Sequence, residues 1–154
     1  MRSSLRIHKR SAGEILAQLG PVVIRVVGCA KTPLARVPEL YGFVDQVLSE
    51  YPIVAMLIVV EHGAPVPDED VRRSIDVQLQ ARADKLVVGY ALLGLGFWAE
   101  RARAFADHRI RLEGCTILVD ISLSALIQRL ALEFVGIDPD QLTQVVEQLR
   151  TQVA

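Results

Sequence analysis

The chain has 154 residues, 51% of them hydrophobic and only 5% aromatic, with a formal net charge of −1. That length supports one domain, residues 1–154, whose core is built from Val, Leu, Ile and Ala without disulfide staples. The charge excludes a basic field able to hold nucleic acid by phosphate neutralisation, and the two cysteines, Cys29 and Cys115, lack the paired spacing of a metal-ligand set, so reduced thiols at strand ends are expected.

The N-terminus is basic (Arg2, Arg6, Lys9, Arg10), and Val26-Val27-Gly28-Cys29 loosely resembles a lipoprotein cleavage box. Glu14, Gly20-Pro21 and Arg25 interrupt the continuous apolar stretch that such a leader needs. The longest uninterrupted apolar run, Ile53 to Val60, covers eight residues, too few to span a bilayer. A soluble cytoplasmic chain is expected, with no membrane and no nucleic acid among its partners.

Residues 5–20 admit two readings: a hairpin leading into the next strand, or a short helix over 13–19. His8 is expected on an arm. Val22 to Val27 is a β-branched strand whose one charge, Arg25, suggests that one face is only partly covered. Gly28 to Pro38 reads as a loop. Leu40, Phe43, Val44, Val47 and Leu48 then form one apolar helical stripe, with Pro38 in the first turn, where its missing N–H has no partner to lose.

Ile53 to Val60 has no polar alternation and reads as a strand buried on both faces of a parallel sheet. After Glu61-His62-Gly63 and a proline-bearing loop, Asp68 is a candidate N-cap, and Glu69 and Asp70 favour the positive end of the helix dipole. Val71, Ile75 and Leu79 mark the buried side of that helix; Gln78, Gln80 and Arg82 read as solvated. Leu86 to Leu93 is the next buried strand. Gly94-Leu95-Gly96 turns it into a helix with Trp98, Ala102, Phe105 and Ala106 on one face, and His108 at its end. Thr116 to Val119 is a short strand, and Asp120 or Ser122 can cap the helix carrying Leu123, Leu126, Ile127, Leu130 and Phe134. Gly136 stops it, and Asp138-Pro139-Asp140-Gln141 opens a last helix with Leu142, Val145, Val146, Leu149 and Val153. Strand and helix alternate throughout, which predicts an α/β fold on a mostly parallel sheet of four to five strands with flanking helices.

In such a sheet ligands bind outside the carboxyl ends of the strands. That edge gathers the candidate ligand-binding residues Lys31, Thr32, Glu61, His62, Gly94, Gly96 and Asp120. His62 is a conceivable acid/base group, but no partner for it is identifiable, and no residue is assigned a catalytic role. No two histidines have metal spacing, so neither a metal nor a cofactor is expected. Gly94-Leu95-Gly96-Phe97-Trp98-Ala99 matches G-x-G-x-x-A after a strand, with Asp120 ending the next strand, as in a dinucleotide fingerprint. The fingerprint normally opens the first βαβ unit, whereas here it starts late and Phe97 and Trp98 read as core; a tight strand-to-helix turn and a helix cap at Asp120 explain the same residues.

The order of elements and three local phrases resemble a STAS domain, the anti-sigma-factor-antagonist fold, in a divergent form. Val22-Val23-Ile24-Arg25-Val26-Val27-Gly28 is similar to the family's opening strand and glycine, and Ile58-Val59-Val60-Glu61 to its strand ending in an acid. Ile117-Leu118-Val119-Asp120-Ile121-Ser122-Leu123-Ser124-Ala125-Leu126 is similar to its closing strand, acid and last helix. The resemblance covers roughly residues 15–135, with 137–153 as an added C-terminal helix. It implies a non-enzymatic regulatory or scaffold domain acting through protein–protein contacts. Antagonists of this class carry an Asp-Ser-Ser-Gly-like phosphorylation motif where this chain has His62 to Asp70, a segment with no Ser or Thr. The usual phosphoswitch is therefore missing, and Asp68, Glu69 and Asp70 become a candidate interaction loop. A homodimer through the helices of residues 123–153 is expected, because their apolar stripes need covering. The alternative is a small nucleotide- or metabolite-binding protein that uses the Gly94–Gly96 turn.

Overall fold

Two consecutive crossovers that step along a sheet in the same direction carry their helices to the same face, and this rule organises the molecule. The computed structural model describes residues 4–11, 13–94, 100, 103–104 and 114–153. Its strands are β1 (Leu5–Ser11), β2 (Glu14–Leu19), β3 (Val22–Val27), β4 (Val54–Val60), β5 (Leu86–Leu92) and β6 (Thr116–Asp120). Its helices are α1 (Arg36–Leu48), α2 (Glu69–Ala81), α3 (Leu123–Glu133) and α4 (Pro139–Thr151). The six strands lie in sequence order in one sheet. β1–β2 and β2–β3 pair antiparallel; β3–β4, β4–β5 and β5–β6 pair parallel.

The sheet has more strands than the four to five expected, because residues 5–19 form a hairpin rather than a helix. β1 is an edge strand with a bulge between Ile7 and Lys9. A bulge re-aims side chains, and here the two residues beside it lean over α1. His8 stacks on Phe43 with ring centroids 4.1 Å apart, and Lys9 Nζ donates to Glu39 Oε1 at 2.6 Å. His8 thus belongs to the sheet and not to an arm.

Side chains alternate across the pleat, so each strand contributes to two cores. One face collects Leu16, Val23, Met56, Ile58, Val88 and Tyr90 under α1 and α2. The other collects Ile15, Ile24, Leu57, Val59 and Ala91 under α3 and α4. The stripes read from the sequence on α1 and α2 are buried as expected, Leu40, Phe43, Val44 and Val47 on α1 and Val71, Ile75 and Leu79 on α2, except that Leu48 is only partly buried. Ser122 caps α3 by accepting from Ala125 N, and Asp138 caps α4 by accepting from the amides of Asp140 and Gln141, with Pro139 in the first turn. The contact of α3 with β5 depends on Gly89. A Cβ there would sit 3.1 Å from Leu130 Cδ1 and 3.3 Å from both Leu126 methyls.

Arg82 is not simply solvated. Its Nε and Nη2 grip the two oxygens of Asp45 at 2.7 and 2.8 Å, joining the end of α2 to α1, and its guanidinium lies 5.3 Å from the Tyr41 ring centroid. The Arg82 hydrogen bond holds the Asp45 carboxyl below its ordinary pKa, against a smaller opposing effect of burial. A carboxylate depressed on folding contributes stability above its unfolded pKa, about 4, and loses it as pH falls through the folded value. Asp45→Asn is therefore expected to flatten the acid limb of the stability–pH curve below about pH 4. It should cost no more than about 1 kcal/mol at neutral pH, because Asp45 is more than half exposed. Urea unfolding at several pH values measures both.

No helix among the described residues is long and apolar enough to cross a membrane.

Candidate functional site

Register determines which carboxyl-edge residues can meet. Arg25, Ile58, Tyr90 and Val119 form one row across β3 to β6, and Val27, Val60 and Leu92 the next row on the same face. These last rows floor a pocket roofed by Leu40 and Tyr41 of α1, Ile75 of α2 and the loop Ala64–Pro67. It is small and open at its mouth, and its walls are mainly apolar. Binding sites commonly combine such an apolar lining with a few placed polar groups.

Arg25 is the charged group in it. The sequence suggested a partly uncovered face at this position; the structure instead buries the side chain and pairs it. Leu16 is its register partner on β2, which places Glu14, two residues earlier, on the same face as a diagonal neighbour. Arg25 Nε donates to Glu14 Oε1 at 3.1 Å and Nη2 to Thr32 Oγ1 at 2.8 Å. Arg36 Nη1 takes the other Glu14 oxygen at 3.0 Å. The turn before β2 is held close to the end of β3: Gly28 N donates to Gly13 O at 2.6 Å, and Gly13 has φ +77°, the left-handed region that favours glycine. A Cβ on Gly13 would lie 2.8 Å from that of Ala30. This approach seats Glu14 beside the loop that carries Thr32.

Of the candidate ligand-binding residues that are described, Thr32 alone lines the pocket. Lys31 Nζ pairs with Asp68 Oδ1 at 2.7 Å, so the loops after β3 and β4 are linked at the surface. Asp68 stands at the N-cap of α2 but makes no side-chain cap bond. Glu69 pairs with Arg73, and Asp70 Oδ1 accepts from Val71 N at 2.8 Å. Glu61 lies on the opposite face, where Arg150 of α4 grips both its oxygens. That hydrogen bond, opposed by burial, raises the pKa of Arg150. Asp120 is on that face too: Oδ1 accepts from Ser122 N at 2.9 Å, and Oδ2 lies 3.5 Å from Arg129 Nη1. His62 sits in an exposed turn, and Gly94 is half-buried just after β5. Gly96, Phe97, Trp98, Ala102, Phe105, Ala106 and His108 lie outside the described residues, so the glycine turn and its aromatic flank are not placed.

Among the described residues, the carboxyl-edge candidates therefore form no single cluster. Glu61 and Asp120 orient α4 and α3, and Lys31 and Asp68 link two loops. What the sequence reading missed is Arg25 with Glu14, and the tyrosines Tyr41 and Tyr90 in the pocket wall. The available signal was a lone charge inside an otherwise apolar strand.

Both cysteines are free. Cys115 is half-buried, and burial, with a smaller contribution from Asp76, pushes its thiol up and away from thiolate chemistry. Among the described residues, no group of three or more His, Cys, Asp and Glu side chains could hold a metal ion. No protein-family model, curated protein or solved structure matches the chain.

Proposed function

We propose that this chain is a STAS-like regulatory or scaffold domain that works through protein–protein contacts and without a serine phosphoswitch. The observation that carries the reading is the Lys31–Asp68 pair at the start of α2. It links the loop after the opening parallel strand to the loop where the resembled family places its phosphorylatable serine. A phosphate at a helix N-terminus would add roughly −1.5 to −2 charge; Asp68, Glu69 and Asp70 supply negative charge there permanently. The pair is exposed on both sides, so its contribution to stability is at most about 1 kcal/mol, and its role is to hold the loop in one binding mode.

The test is to isolate the tagged chain from its native cell and measure retention of a stoichiometric protein partner. The comparison is with a variant carrying Glu69→Gln and Asp70→Asn and keeping Asp68. The variant should lose under about 1 kcal/mol of stability, because only dipole complementarity and an exposed ion pair are affected, yet lose the partner. Unchanged retention would make the loop only a helix start.

Self-association through residues 123–153 belongs to the same proposal, on altered grounds. The sheet already covers Leu126, Ile127, Leu130, Leu142, Val146 and Leu149 within one chain. Leu132 and Val135, 86% and 98% exposed at the end of α3, are the apolar groups left for a second copy. Sedimentation is expected to give a dimer that Leu132→Glu with Val135→Glu converts to monomer. A monomer of the unaltered chain at high micromolar concentration would remove the dimer from the proposal.

A further inference from the structure

We infer that the pocket beneath α1, α2 and the Ala64–Pro67 loop binds a small organic monocarboxylate, its anionic head on Arg25 and its apolar body against Ile58, Tyr90 and Leu92. The inference is independent of the protein-contact reading. Three observations support it.

The first is charge. Lys9, Glu39, Arg36, Glu14 and Arg25 form one connected chain of ion pairs running inward from the surface. Three cations against two carboxylates leave one positive charge, and Arg25 is its innermost member. A buried charge is costly unless it is paired and hydrogen-bonded. Glu14 already divides its two oxygens between Arg25 and Arg36.

The second is unused donor capacity. The Arg25 side chain is more than nine-tenths buried and lines the pocket. Its Nε and Nη2 are engaged, and among the described residues Nη1 meets no acceptor. Thr32 Oγ1 accepts from Nη2, which leaves the hydroxyl proton of Thr32 able to donate. A guanidinium N–H and a hydroxyl beside one another suit the oxygens of a carboxylate.

The third is the wall. Ile58, Val60, Leu92, Ala64 and Ile75 offer no charge to a second polar group. That favours a single anionic head on a short aliphatic or one-ring body over a polyanion such as a nucleotide. Apolar sites with one oriented polar contact take ligands of this kind.

The experiment is a titration of the full chain, followed by backbone amide NMR, with hexanoate and benzoate and with their neutral counterparts hexan-1-ol and benzamide. Both carboxylates should bind saturably and shift the amides of residues 25–27, 32, 64 and 66. The neutral compounds should bind at least about tenfold more weakly, the equivalent of one charge-assisted hydrogen bond. Arg25→Leu should abolish the preference for the carboxylate. Val66→Trp, which fills the pocket from its half-buried loop and leaves the ion pairs intact, should abolish binding and serves if Arg25→Leu does not fold. Equal affinity for acid and neutral compound, binding that survives Val66→Trp, or no saturable binding of either carboxylate would overturn the inference.

Discussion

Replacing Glu14 with alanine is expected to destabilise the protein by about 3–5 kcal/mol, the range for removing one partner of a buried ion pair. Glu14 is only 11% exposed and Arg25 only 7%, so the guanidinium left behind cannot reach water without opening the sheet. Arg36, at 17%, loses the same partner but keeps Glu39, 3.4 Å from its Nε. The double variant Glu14→Ala with Arg25→Met should recover much of the loss, because it removes the orphaned charge as well as its partner and keeps the apolar stem. Denaturant unfolding of the two single variants and the double forms a cycle. If Glu14→Ala costs under about 1 kcal/mol, the pair is solvated in the way surface pairs are, and the buried excess of charge at the pocket does not exist.

The second large effect is expected where α3 seats on β5. Leu130 is fully buried, and Leu130→Ala should cost about 2–5 kcal/mol through lost transfer energy and the cavity left behind. Gly89→Val works against the same contact from the other side. A Cβ at that position already approaches Leu130 Cδ1 to 3.1 Å, and the γ methyls of valine overpack the site for about 1–3 kcal/mol. Together the two changes should cost clearly less than their sum, since the valine methyls enter the space that Leu130 vacates. Additivity to within about 0.5 kcal/mol would mean that the two residues do not share a contact, and the packing of α3 on β5 would have to be redrawn.

Most elements were legible in the sequence because each reports on itself. The apolar run Ile53 to Val60 calls for burial on both faces, the β-branched run Val22–Val27 reads as a strand in spite of Arg25, and the stripe Leu40, Phe43, Val44, Val47 and Leu48 has one helical solution. The first strand was less legible because it is an edge. Leu5 and Ile7 alternate with Arg6 and His8, a pattern shared by a half-exposed strand and by a polar arm, and a bulge breaks its register. Asp68 looked like a helix cap, and its position is that of one, yet its carboxylate is held by Lys31. A cap propensity is local, whereas the choice between a backbone amide and an ammonium from another loop depends on where that loop lies.

By itself the sequence determined the alternation of strands and helices, the parallel β3-to-β6 core and the identity of the buried stripes, since side-chain periodicity encodes amphipathicity directly. Only the tertiary structure decided which polar residues share a site. The pleat sends successive side chains to opposite faces, so residues collected at one sheet edge divide according to register: Glu61 and Asp120 go to the α3–α4 face and to Arg150 and Arg129, while Arg25 goes to the α1–α2 face and meets Thr32 there. Glu14 reaches Arg25 from eleven residues away through a hairpin register, and Arg36 reaches Glu14 from twenty-two. Interstrand hydrogen bonds set those pairings, and no periodicity along a single strand contains them.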